Sequence, residues 1–261
     1  MNTMGRLALT AFLTTAVRVI GQLLLPAGEQ TVLVPSVFAQ NSAMPAAFTI
    51  YGLLAYGAIA AMYLPVRDGI RGGRAARGLK YGLSLCAVWT VYLWEPLPHV
   101  APLDMLLYPL ADGAALLALG LCCGLLFPGE AAVQRAPLRL LPALAVAACF
   151  VAGRFLQYAV FDIYSSFDAR PWAVALWTAG AGLCVGLALA WLRRAVRVRG
   201  RARRAALLGL SLFGCDLLLF NFFMPLVFDA DIPDLLLRTL IDALAAFAGC
   251  MVFGEEGEAA R

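Results

Sequence analysis

The sequence predicts an all-α fold, a polytopic membrane helical bundle of about eight transmembrane helices arranged as two parallel four-helix repeats. Three observations carry this prediction. The 261 residues are 62% hydrophobic and only 14% charged, where a soluble domain has about 25% charged residues. Lipid covers the outside of a membrane protein and removes the need for that polar surface. Apolar runs long enough to cross about 30 Å of hydrocarbon recur along the chain, and basic residues collect in alternate connections between them.

The first run, Leu7–Leu25, follows Arg6 and has the look of a secretory signal, with Val37-Phe38-Ala39 resembling a cleavage site. Arg18 interrupts the run, however, and the cleavage-like tripeptide lies far beyond it, so the segment reads as a retained first helix. The remaining runs are Ala46–Leu64, Leu79–Glu95, Met105–Phe127, Leu138–Val160, Trp172–Leu192, Ala205–Val227 and Leu235–Phe253. None shows the strict alternation of a membrane β-barrel. Between Pro26 and Pro45 lies an outer connection with apolar pieces, Val32-Leu33-Val34 and Val37-Phe38, expected to lie in the interface or fold back as a lid. The acidic tail Glu255–Arg261 is expected to fray.

The connections set the orientation. Arg67, Arg71, Arg74, Arg77 and Lys80 lie between the second and third runs, Arg135 and Arg139 between the fourth and fifth, and Arg193, Arg194, Arg197, Arg199, Arg201, Arg203 and Arg204 between the sixth and seventh. The opposite side holds Arg170 and the acids Glu29, Glu95, Asp104, Asp162, Asp168, Asp229, Asp231 and Asp234. Because positive loops stay inside, the expected location is the cell (inner or plasma) membrane, multi-pass, with both termini cytoplasmic. Topology accounts for these charges, so nucleic acid is not an expected partner.

The second half echoes the first. Gly82-Leu83-Ser84-Leu85 matches Gly209-Leu210-Ser211-Leu212, and Arg74-Ala75-Ala76-Arg77 stands at the offset of Arg201-Ala202-Arg203-Arg204. Pro96-Leu97 answers Pro225-Leu226, Asp104 and Asp112 answer Asp234 and Asp242, and Arg18 with Gln22 answers Arg154 with Gln157. The expected units are residues 1–130 and 131–261, within one membrane domain. Each holds an even number of helices, so both share one orientation and their pseudo-two-fold axis runs along the membrane normal.

Ionisable residues inside the bilayer need a partner or water. At 1.5 Å of rise per residue, Asp112 lies about 12 Å inward from Asp104, and Asp242 about 12 Å from Asp234. Arg18 lies about 18 Å along its helix from Arg6, with Arg154 slightly nearer the outer side, so arginines and aspartates meet at one level. They are expected to form either two Arg–Asp pairs that fix packing or a polar site between the repeats. Arg238, one turn before Asp242, can reach it at i,i+4 spacing. Asp216 has no ionisable counterpart in the third run, where Trp89 and Tyr92 lie, and is the leading single candidate for function.

The expected function is a transporter or permease moving a small solute or ion, with Arg18, Asp112, Arg154, Asp216, Arg238 and Asp242 as substrate-binding candidates. The alternatives are a non-catalytic membrane subunit or scaffold, whose basic loops contact a protein partner or anionic lipid, and an intramembrane lipid-modifying enzyme. No nucleophile–base set favours the last, and no HExxH, GxSxG or phosphate-binding loop is present, so no enzyme activity and no cofactor are expected. His99 is the single histidine, which excludes bis-histidine haem ligation within the chain; with Glu95 and Asp104 it makes at most a weak metal site. The seven cysteines fall in apolar stretches without a CxxC and read as packing residues. Trp94, Trp172, Tyr63, Tyr92 and Tyr164 flank helix ends and suit interfacial anchoring. Gly180–Gly186 has the small-residue spacing of close helix packing.

Overall fold

A computed structural model describes residues 1–25, 31–129 and 138–253. Glu29, Arg135 and the tail Glu255–Arg261 therefore lie outside the described residues. Among those described the fold is helical, with no strand beyond an isolated bridge between Pro35 and Phe228.

The helices are α1 (Thr3–Leu24), α2 (Val37–Gln40), α3 (Met44–Met62), α4 (Arg74–Leu93), α5 (Asp104–Leu126), α6 (Leu140–Val160), α7 (Pro171–Arg193), α8 (Arg201–Ala205), α9 (Cys215–Asn221), α10 (Met224–Val227) and α11 (Ile232–Cys250). A π-helical stretch, Ala206–Gly214, joins α8 to α9 without a break. Six segments are long and apolar enough to cross a membrane: α1, α3, α5, α6, α7 and the run Arg201–Val227. The chain is a multi-pass membrane protein. Two further helices, α4 and α11, have comparable lengths of 20 and 19 residues. They are more polar: α4 opens with Arg74, Arg77 and Lys80, and α11 carries Asp234, Arg238 and Asp242.

Most helix limits agree with the apolar runs to within a few residues. The third run is the exception, since α4 begins at Arg74 rather than Leu79. Long cationic side chains can lie along a helix with their charged ends in the headgroup region, so a helix continues past the point where hydropathy falls. Local signals close the other ends: the Asn2 side chain caps α1, and Asp231 caps α11 just before Pro233.

Within the first half α1 packs on α3 and α5, and α4 packs on α5. Within the second half α6 packs on α7 and α11, and α11 packs on the π-helical stretch and α9. The halves meet where α4 lies against α7. The α4–α5 contact is the closest, because Gly78 and Gly82 face Gly120 and Gly124, and a side chain at Gly78 would collide with the Gly120 carbonyl. With little hydrophobic drive between helices in lipid, such backbone approach supplies the attraction. Gly182 and Gly186 do the same for α7 on α6, whereas Gly180 of the expected small-residue stretch faces open space.

The connection after α1 folds back at the end of the bundle opposite the arginine loops. Ser36 N–H donates to the Val227 carbonyl at 3.0 Å, Asp229 N–H to the Val34 carbonyl at 2.9 Å, and the Ser36 hydroxyl to the Leu226 carbonyl at 2.7 Å. The strap thus ties the first half to the end of α10 and the turn after it. All seven cysteines are free. Of the expected interfacial aromatics, Trp172 and Trp94 are exposed, but Tyr63 and Tyr92 are buried in the core, which corrects that reading for both. A ring near a helix end anchors in the interface only on the outward face, and these two face inward.

Candidate functional site

The threonines Thr10, Thr14 and Thr15 run along the inner face of α1 and lead to Arg18. Arg18 Nε forms an ion pair with Asp112 on α5. Its Nη1 reaches Gln22 one turn on at 3.4 Å, and its guanidinium lies 6.0 Å from the centre of the Phe48 ring. Tyr56 and Tyr108 border the pair. Arg18 keeps 9% of its surface exposed.

The counterpart is built more heavily. Arg154 on α6 is completely buried, with Nη2 2.8 Å from Asp242 and Nη1 3.1 Å from Glu95. Its guanidinium sits among three rings, 4.9 Å from Trp177, 5.2 Å from Tyr92 and 5.6 Å from Phe150. Aromatic faces attract a desolvated cation. Asp242 also accepts hydrogen bonds from Tyr92 Oη at 2.9 Å and Gln157 Nε2 at 2.7 Å. Both expected Arg–Asp contacts are therefore present, each within its own half.

Two details differ from expectation. Arg238 does not pair with Asp242; it lies 3.5 Å from Asp234 and 3.6 Å from Glu95 and donates to the Tyr164 carbonyl at 2.6 Å. Side chains on a helix lean toward its N-terminus, so Arg238 reaches back one turn rather than forward. Glu95, read as an outer-side acid, is buried just beyond α4 and bridges Arg154 and Arg238 across the halves. Its position directly after a helix rich in Trp and Tyr and before Pro96 is the only signal the sequence offers. His99 Nδ1 hydrogen-bonds to Tyr164 Oη at 3.0 Å, and burial pushes the imidazole below the ordinary histidine range. Among the described residues no group of three metal-ligating side chains exists, so Glu95, His99 and Asp104 do not form the weak metal site.

Asp216 stands apart from these pairs. It lies in the first turn of α9, two residues past the π-helical stretch, and is 2% exposed. Both carboxyl oxygens lie 3.1 Å from Trp89 Nε1, so one indole N–H on α4 serves the whole group, and no cation touches it among the described residues. Trp89 is itself packed by Tyr56, Phe220 and Phe223. Asn221, one further turn along, is directed elsewhere and donates to Thr239 at 2.7 Å. The structure therefore gathers Glu95, Arg154, Asp234, Arg238 and Asp242 into one network, keeps Arg18 with Asp112 in a second, and places Asp216 alone on the seam between the halves. No protein-family model, curated protein or solved structure matches the chain.

Proposed function

We propose that the chain is a cell-membrane permease for a small solute or ion, built from two parallel four-helix units, with Asp216 as its working group. The observation that carries this reading is the buried carboxyl on the seam with one neutral donor and no cation. Such a group is costly as an anion when water leaves and exchanges a proton or a cation when water reaches it. The adjoining π-helical stretch supports the same assignment, since π-helical turns within α-helices concentrate at functional sites.

The two-unit architecture has its own support. Trp89 and Asp216 are 127 residues apart, the separation of the matched Gly82 and Gly209, so equivalent positions touch each other as they would on a two-fold axis. Tyr51 Oη donates to the Leu219 carbonyl at 2.8 Å, and Trp177 Nε1 to the Val91 carbonyl at 2.6 Å. An aromatic of the second helix of each unit thus donates to the backbone of the third helix of the other. The order of helix packing is also the same in both halves. For orientation, cysteines introduced at Arg74 and Ala202 of a cysteine-free protein should resist an impermeant thiol reagent in intact cells, and those at His99 and Ala230 should react.

The scaffold reading is favoured by one feature, the mutual satisfaction of the Arg–Asp pairs, which structural pairs share. Proteoliposomes on a solid-supported membrane separate the two. Challenged with a panel of small anions, cations and neutral solutes across an imposed pH step, they should give a transient current that Asp216→Asn removes. Current retained in Asp216→Asn would overturn the role of Asp216. No current with any solute, together with a stoichiometric protein partner on purification, would replace transport by scaffolding.

A further inference from the structure

A groove on the bundle surface lies between α4 and α7, lined by Leu83, Ala87, Cys184, Leu187 and Ala188 with Lys80 and Trp191 at one end. The lining positions on α4 are 80, 83, 84 and 87, and those on α7 are 184, 187, 188 and 191, each set one continuous helix face. The helices run antiparallel here: Cys184 Sγ lies 3.5 Å from the Ala87 carbonyl, which leaves Lys80 and Trp191 together at the arginine-rich end. Seven residues of helix give the groove a length of about 10 Å, against about 15 Å for one leaflet of hydrocarbon.

The polar end differs sharply from the apolar floor. The Lys80 ammonium leans back along α4 and donates to the Arg71 carbonyl at 2.8 Å, leaving two of its three N–H donors for other acceptors. Arg71 and Arg74 are exposed at the same end of α4. From the other half, Arg197 donates to the Asp68 carbonyl at 2.9 Å, and Ala195 packs on Gly69, so the two arginine loops form one surface above the groove. Trp191 has the apolar body and N–H tip that suit the headgroup level.

We propose that this groove is a binding site for one anionic phospholipid of the leaflet facing the arginine loops. One acyl chain lies along the floor between α4 and α7, and the phosphate sits on Lys80 with Arg71 and Arg74 around it. Charge complementarity selects the occupant: a zwitterionic lipid adds its own cation to a site already crowded with cations, and an apolar partner helix leaves Lys80 unanswered. The groove lies where the halves meet, so the bound lipid caulks that junction. This site stands independently of the transport reading.

Native mass spectrometry of the purified protein tests it, using phosphatidylglycerol and phosphatidylcholine of identical chains. One phosphatidylglycerol should be retained where phosphatidylcholine is lost. Lys80→Gln should weaken retention about fivefold, as expected for one basic residue at an anionic surface. Ala87→Phe and, from the opposite wall, Ala188→Phe should abolish it by filling the floor. Lys80 and Ala87 are exposed, so their variants should keep the wild-type melting temperature. Equal retention of the two lipids would overturn the proposal. Displacement by excess inorganic phosphate would do so too, because it would reduce the site to a headgroup contact. Loss on Lys80→Gln with full retention in both phenylalanine variants would mean adsorption on the arginine loops, with no acyl site.

Discussion

The two Arg–Asp sites begin from the same residues and end as different devices. Arg18 and Asp112 pair between α1 and α5 with one glutamine, the Phe48 ring, two bordering tyrosines and some exposure, and no second carboxylate among the described residues. Arg154 and Asp242 are sealed between α6 and α11, and the site has drawn in Glu95 from the other half, three rings, a tyrosine hydroxyl and Gln157. Burial decides the difference. A completely buried cation must have its charge answered, so carboxylates and rings gather around Arg154 even though its Nε finds no acceptor among the described residues, while Arg18 keeps some exposure. The second site is a lock that fastens the halves together through Glu95, and the first is a simpler pair within one half.

The largest expected effect comes from breaking the lock. Arg154→Gln strands Asp242 in the dry interior and leaves Glu95 with Arg238 alone, and removing one partner of a buried pair costs about 3–5 kcal/mol. Folded yield in detergent should collapse. Glu95→Gln should cost less, because Arg154 keeps Asp242 and Arg238 keeps Asp234. If Arg154→Gln is tolerated as well as Arg18→Gln, the contrast between the sites is void.

The first pair should respond in a different pattern. Arg18→Gln and Asp112→Asn should each lower the melting temperature by the equivalent of about 1.5–3 kcal/mol, the range for a hydrogen bond to a charged group. The double variant should recover part of the loss, since neither charge is left stranded. Additive losses would mean that the residues do not support one another.

The smallest effect belongs to His99, beside the lock. Burial lowers its pKa, with Glu95 opposing the shift and Arg238 adding to it. The unfolded chain therefore takes up the proton first, near the ordinary histidine value of about 6.5. The contribution of His99 to stability is full above that pH and falls as pH drops toward the folded-state value. Melting temperature should decline slightly across that window, and His99→Gln should flatten the decline.

How far the sequence carried differs between these regions for physical reasons. Apolar run length located the helices, because hydrocarbon thickness fixes it, and counting along each helix brought Arg18 level with Asp112 and Arg154 level with Asp242. Counting along one helix cannot show what arrives from another, so Glu95 went unrecognised as a partner of Arg154. Spacing pointed Arg238 forward to Asp242, and the lean of helical side chains toward the N-terminus turns it back to Asp234 instead. The π-helical stretch before Asp216 has no sequence signature, whereas the apolar pieces between Pro26 and Pro45 pointed to a connection that folds back, and only its pairing with Phe228 was hidden. Asp216 itself was legible as a charge without a counterpart, and its contact with Trp89 was not.

The central claim is that Asp216 works while the ion pairs hold the frame. Infrared difference spectra of the reconstituted protein, taken between mildly acidic and mildly alkaline buffer, test it without knowledge of the solute. The account predicts a titrating carboxyl band that shifts in heavy water, disappears in Asp216→Asn and persists in Asp112→Asn. A band that survives Asp216→Asn, or that Asp112→Asn removes, would contradict it.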